Sequence, residues 1–355
     1  MNEERQVLKN AAIKIVGDRI KEIGTKEELI LSNPEASIIG NDNFMVIPGL
    51  INAHQHLTGD RLIQSCIPSE IEDTEAIFDW SVPIHALHSP DDDEISATLS
   101  LAESARCGIT FTVEAGTVAF PEMVLNGFEK VGVGGAIGSW GWDVGNGPYV
   151  DSVDGVIERQ LQVLEMTKNH SSVKGWVTLV GHNLMSDELL QKASNLAKEN
   201  STNLTFHLSP HAGEVSQYLE KTGMRPVTYI SELGVLGSHL LIGHAVHIDD
   251  SELEVLINSK TAIASSPWAY LKLGQGITKF GKHPEFVSKG GRLALGCDTE
   301  NAGDTKDLLL TARLFSGLMQ EAKLGLNKPT AHYALELITI GAAEALGLKE
   351  EIGSI

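Results

Sequence analysis

Short apolar runs alternate with longer amphipathic stretches along most of the chain, the rhythm of strands each followed by a helix against a parallel sheet. Eight runs read as strands: 45–56, 108–116, 131–141, 173–181, 203–210, 239–246, 261–267 and 292–299. Eight such units close a (β/α)8 barrel, so the expected fold class is α/β, a TIM barrel. Helix starts punctuate the pattern. Ser89 precedes a proline at the first helical position and then an acidic first turn, Asp91 to Glu94, so this acidic run reads as a helix start and not as a metal site. Ser186 with Asp187 and Glu188 opens a second helix, and Asp249 with Asp250, Ser251 and Glu252 a third. Ahead of the barrel, residues 7–24 alternate apolar and polar around a Gly17-Asp18 turn, a small β-hairpin, and 32–42 reads as a linker. The expected domains are an N-terminal strand segment at 1–45, belonging to a small and incomplete β-sandwich, the barrel at 46–347, and the start of a return to the sandwich at 348–355.

With 355 residues the chain is long enough for one such barrel, and a hydrophobic content of 42% is that of a globular protein. No apolar run approaches the length of about 20 residues that a membrane span needs, and the polar Met1–Gln6 start carries no signal-peptide pattern. Three cysteines, Cys66, Cys107 and Cys297, lack CxxC spacing, which fits a reducing compartment and argues against a disulfide framework or a cysteine zinc site. A cytoplasmic location is therefore expected. The formal net charge of −20 argues against nucleic acid and anionic membrane as partners. A small-molecule substrate is expected, with self-association left open.

The chemistry concentrates at strand ends. His54 and His56 close the first strand two residues apart, and the period of two sends both imidazoles to one face. His207 ends the fifth strand, His244 the sixth and Asp298 the eighth. The C-terminal ends of barrel strands form the mouth where active sites lie. Histidines and a carboxylate converging there make an open metal set of the catalytic kind.

The segment Pro48-Gly49-Leu50-Ile51-Asn52-Ala53-His54-Gln55-His56 resembles the PGLxNxHxH signature of the amidohydrolase superfamily. Gly108-Ile109-Thr110-Phe111, Gly181-His182-Asn183 with Ser186, Leu241–Ile248, and Ser266-Pro267 with Leu271-Lys272-Leu273-Gly274 extend the likeness over nearly the whole chain. They resemble the branch holding cytosine deaminase, adenosylhomocysteine deaminase and triazine chlorohydrolases. The resemblance implies one divalent metal, zinc ahead of iron, held by His54, His56, His207 and Asp298. It implies a metal-bound hydroxide as nucleophile, Asp298 as proton shuttle, His244 as the group that contacts water or substrate, and His182 as a substrate-binding residue. The reaction expected is hydrolytic deamination of a nitrogen heterocycle or cyclic amidine, a C–N hydrolysis outside peptide bonds.

One departure bears on that chemistry. Family deaminases carry HxxE on the fifth strand, with the glutamate shuttling a proton to the substrate ring. Here the segment is His207-Leu208-Ser209-Pro210, and proline transfers no proton. His211, Glu114 and Glu300 are the candidate replacements, with Glu214 a further acid nearby. Tyr270 likewise stands where the family has asparagine. The alternative reading is hydrolysis of an amide, urea or C–X bond on the same site without ring protonation; a non-catalytic binding barrel is a remoter one. Trp142 and Trp268 are candidates to line a pocket, the other tryptophans to pack a core, and His85 and His88 to lie in a solvated loop. Gly132, Gly134, Gly135 and Gly138 read as close packing in the third strand, not as phosphate binding.

Overall fold

A computed structural model describes residues 4–58, 60–68, 70–71, 73–303, 305–322 and 330–355. The N-terminal hairpin pairs β1 (Ala11–Val16) with β2 (Arg19–Thr25) in antiparallel register across the Gly17-Asp18 turn. A short helix the pattern did not suggest, Lys26–Ser32, follows it, capped by Thr25.

Among the described residues nine further strands follow, all parallel to their neighbours: β3 (Leu50–Gln55), β4 (Ile109–Glu114), β5 (Gly134–Ile137), β6 (Val173–Gly175), β7 (Val177–Gly181), β8 (Leu204–Leu208), β9 (Leu240–His244), β10 (Ala262–Ser265) and β11 (Leu293–Leu295). They form two arcs, β3-β4-β5-β6 and β11-β10-β9-β8-β7. Only Trp176 separates β6 from β7, and its N–H donates to the Ile137 carbonyl at 2.8 Å, so these two are halves of one stave. The other seam closes at the site: Gln55 and Asp298 form a parallel bridge, and the Asp298 N–H donates to the His54 carbonyl at 2.9 Å. The result is an eight-stave (β/α)8 barrel with a small antiparallel sheet ahead of it.

Each expected strand contains an observed one, shorter for local reasons. Met45 to Ile47 stay outside the ladder and exposed; Pro48, with no N–H to give, separates them from Leu50. Val131 belongs to the helix Pro121–Val131, which Gly132 stops in the left-handed conformation at φ +79. In β5 a Cβ on Gly135 would sit 2.4 Å from the Phe128 ring of that helix, and one on Gly138, just past the strand, 2.1 Å from Thr178 Oγ1, so these glycines serve close packing. Gly132 does not, since a Cβ there would meet nothing within 4 Å, and it ends the helix instead. The caps fall where the residue types placed them. Ser89 and Asp92 make a capping box on Pro90–Arg106, Ser186 caps Asp187–Glu199, and Asp249 with Glu252 boxes Asp250–Ser259.

The largest cluster of buried side chains lies between staves and helices, with Phe206, Tyr218, Ile242, Phe286 and Phe315 among its members. A second gathers Ile51, Phe111, Trp176 and Leu241 with alanines of β10 and β11, and the helix Ile340–Ala345 packs on it. No helix among the described residues is long and apolar enough to cross a membrane.

Candidate active site

The barrel brings all five strand-end residues together. His54 comes from β3 and His56 from the residue just after it, His207 from β8, His244 from the last position of β9, and Asp298 from the segment after β11. All are nearly or wholly buried except His56, whose side chain is 12% exposed. The His54 ring lies 5.3 Å from that of His56, 4.9 Å from His207 and 5.2 Å from His244, centroid to centroid. Asp298 reaches in between them. Its Oδ1 is 3.5 Å from His56 Nε2 and 3.8 Å from His54 Nε2, and its Oδ2 is 3.8 Å from His244 Nδ1.

Period two alone does not produce this geometry. The β3–β4 ladder shifts register between Asn52 and Gln55, and buried Asn52 holds the irregularity. Its Nδ2 donates to Gln55 Oε1 at 2.9 Å and its Oδ1 accepts from Cys297 N–H at 3.0 Å, across the seam. His182, His244 and Asp298 all have positive φ, at +54, +77 and +61, a strained conformation for side-chain-bearing residues and one concentrated at functional sites. Room for the rings is made by glycine: a Cβ on Gly243 would lie 3.0 Å from His54 Cε1.

The proton inventory shows what the cluster fits. His207 Nδ1 lies 2.6 Å from the Val180 carbonyl and so must carry its hydrogen there. His56 Nδ1 faces Thr117 Oγ1 at 3.1 Å, and that hydroxyl donates its own hydrogen to Glu114 Oε1 at 2.6 Å, so His56 Nδ1 is also a donor. Both Nε2 atoms are left as lone pairs, yet they face each other at 3.3 Å. Two acceptors at that separation repel unless a cation lies between them. Among the described residues, His54 Nε2 and His244 Nδ1 are buried without a hydrogen-bond partner. Burial pushes all four imidazoles below the ordinary histidine range, which keeps them neutral and able to ligate. Overlapping trios, His54-His207-His244 and His54-His56-Asp298, have ligand atoms within 4.8 Å of one another. The donor set fits a divalent ion.

A cavity of about 430 Å³ opens over the cluster. His182 lines it, its ring stacked on His207 at 5.0 Å and its Nδ1 3.5 Å from Glu214 Oε2. Pro210 and His211 line it as well. His211 caps the helix Ala212–Thr222 by accepting from the Glu214 N–H on Nδ1 at 3.2 Å, which leaves its proton on Nε2. Glu114 is absent from the cavity wall. Its carboxylate takes hydrogen bonds from the Gly116 and Thr117 N–H groups and the Thr117 hydroxyl, and burial raises its pKa to about 7. Glu300 begins the helix Glu300–Gly303, and its side chain falls outside the described residues. Trp140, not Trp142 or Trp268, is the tryptophan on the cavity wall. His85 and His88 are enclosed instead of solvated, their side chains 4% and 7% exposed. Tyr270 is buried with its ring 5.8 Å from that of His244.

Three supporting residues had escaped the sequence reading. Asn52 was signalled by its place inside the PGLxNxHxH segment. Thr117 and His283 carry no local signal, although His283 donates from Nε2 to the His244 carbonyl at 2.8 Å and meets Ser265 Oγ through Nδ1 at 3.0 Å.

Residues 45–355 match the profile of the "Amidohydrolase family". The chain belongs to the amidohydrolase family. It is a metal-dependent hydrolase acting on C–N bonds other than peptide bonds. A 5-methylthioadenosine/S-adenosylhomocysteine deaminase of Thermodesulfovibrio yellowstonii is 27% identical over 363 residues, spanning 100% of this chain and 80% of its own length. The fold matches that of a zinc-bound adenosine deaminase from Xanthomonas campestris, with TM-score 0.88, 20% identity and coverage of 99% of this amidohydrolase and 78% of that chain. It also matches an atrazine chlorohydrolase of Arthrobacter aurescens complexed with zinc, with TM-score 0.87, 21% identity and coverage of 99% and 82%.

Proposed function

We propose that this amidohydrolase deaminates an aminopurine carried on a nucleoside, using a single divalent ion, zinc ahead of iron, held by His54, His56, His207 and Asp298. The observation that carries the ion is the opposed pair of Nε2 lone pairs on His56 and His207, 3.3 Å apart beside the Asp298 carboxylate. Lys174, a lysine that could bridge two metals were it at the mouth, begins its strand and pairs with Glu351 instead, which supports one ion. The substrate class rests on the relatives: proteins named as deaminases of adenosine compounds resemble this chain over nearly its full length. The cavity is within the range of about 300–1,000 Å³ usual for small-molecule sites.

A divalent ion held there by His54, His56, His207 and Asp298 would make a water acidic enough to serve as nucleophile near neutral pH. The remaining work belongs to the chain. Asp298 takes the water's proton and returns it to the departing amine. His244, its carbonyl fixed by His283, presents Nδ1 to the developing charge. His182 contacts the heterocycle. His211, with its proton on Nε2, faces the same cavity as Pro210 and serves as donor to the ring nitrogen in place of the missing glutamate. Glu114 instead orients His56 through Thr117.

Pro210 in the cavity wall favours a second reading, hydrolysis of an amide, urea or C–X bond whose leaving group Asp298 alone protonates. Ammonia release from metal-loaded protein separates the two. Adenosine, 5-methylthioadenosine and S-adenosylhomocysteine should yield ammonia, lost on chelation and restored by zinc, and His211→Ala should slow this by about 10²–10⁴-fold. Turnover of ureas or chlorotriazines with no ammonia from any aminopurine would decide for the second reading.

A further inference from the structure

The first loop of the barrel carries a second cluster of imidazoles and carboxylate that the hydrolytic chemistry leaves unused. His85 ends the short helix Val82–His85. In the turn after it, the His88 N–H donates to the His85 carbonyl at 3.0 Å, which brings the two rings within 4.8 Å at 78°. Asp93 lies in the first turn of Pro90–Arg106. The capping role expected of this acidic run belongs to Asp92, in its box with Ser89; Asp93 turns inward and is 0% exposed. Its Oδ1 is 3.2 Å from His85 Nε2 and 3.1 Å from His88 Nδ1, and its Oδ2 accepts from the Phe120 N–H at 3.2 Å.

A carboxylate sealed from water needs a compensating cation. Among the described residues, the ion pairs of Asp93 are with these two imidazoles alone. The three ligand atoms lie within 4.8 Å of one another. Bonds of about 2.0–2.2 Å in a tetrahedral zinc site hold ligand atoms roughly 3.3–3.5 Å apart, so little movement separates the hydrogen-bonded trio from a coordinated one. Two nitrogens and one oxygen select zinc or a neighbouring late first-row ion over magnesium or calcium, which take oxygen. We propose that His85, His88 and Asp93 form a second divalent transition-metal site, distinct from the strand-end cluster. His85 also lines the active-site cavity, so an ion here fixes the first loop as a wall of that cavity and takes no part in bond cleavage.

The test is metal binding by the full chain, stripped with chelator and titrated with zinc alone, with bound metal counted by elemental analysis. Wild type should bind two equivalents. His88→Asn should lose one, and the double variant His56→Asn/Asp298→Asn the other. Crystals soaked in zinc should show anomalous density between His85, His88 and Asp93, a readout independent of how any variant folds; Asp93→Asn, which keeps an acceptor for Phe120, is the milder companion change. A single wild-type equivalent that His88→Asn retains, two equivalents that it retains, or no anomalous density at the loop overturns the proposal. A single equivalent lost in His88→Asn but kept in the double variant upholds the loop site and removes the assignment at the strand ends.

Discussion

Asp298 has three neighbours to serve, since its Oδ1 is nearest His56 and His54 while its Oδ2 is nearest His244. Asp298→Asn leaves an oxygen for the ion but nothing that accepts a proton from water. Turnover should fall by at least about 10²-fold while metal content, read by elemental analysis, stays mostly intact; a variant retaining a tenth of the wild-type rate would remove Asp298 from the proton path. Thr117 acts at one remove. It ties His56 Nδ1–H to Glu114, and groups that orient a ligand histidine are worth about 10–100-fold in metal affinity. Thr117→Ala should weaken zinc by that factor in chelator competition, and Thr117→Ser should restore it. Asp298 was legible in the sequence because it ends a strand as His54, His56, His207 and His244 do, at the same mouth of the barrel. Thr117 was not, because its role depends on a ring that is 61 residues away in the chain.

At the level of elements, helix starts were read from residue type because capping is settled within four residues. Ser186 accepts from the Leu189 N–H at 3.1 Å at the head of Asp187–Glu199, a helix whose inner face buries Leu189, Leu190, Ala193 and Ala197. Ser186→Ala should cost about 1 kcal/mol in urea unfolding, with no change in metal affinity. Strand ends were harder. The register shift in β3 and the positive φ values at His182, His244 and Asp298 break the simple alternation there. These irregularities aim the side chains at the mouth; the one in β3 is tied to contacts across the seam, Asn52 with Cys297, that a local pattern does not contain.

Across the whole molecule, closure of the barrel buries histidines that the unfolded chain would leave in water. Burial lowers the pKa of His239, which meets Ser194 Oγ at 2.9 Å, and of His283 to about 4 each. Above pH 6.5 both states are neutral at these positions and stability is independent of them. As pH falls from 6.5 towards 4, the unfolded chain takes up protons that the folded chain refuses, so stability is lost across that window. Melting temperatures of chelated protein should decline through this range, and His239→Gln should decline less steeply than wild type. An equal slope would show that His239 titrates alike in both states.

The sequence by itself determined the α/β class, the number of staves, the helix caps and the identity of the five residues at the mouth, because strand period, capping and apolar run length are short-range properties. The tertiary structure alone decided how those residues meet. It set two lone pairs from residues 151 positions apart against each other at 3.3 Å, withdrew Glu114 from the cavity to hold Thr117, and put Trp140 on the cavity wall. It also turned Asp93 out of the capping run and into a pair of histidines that the sequence had assigned to solvent. The physical reason is common to all of these. Which way a side chain faces at the end of a strand or the start of a helix depends on backbone irregularity and on partners from distant staves, and neither is written in the spacing of neighbouring residues.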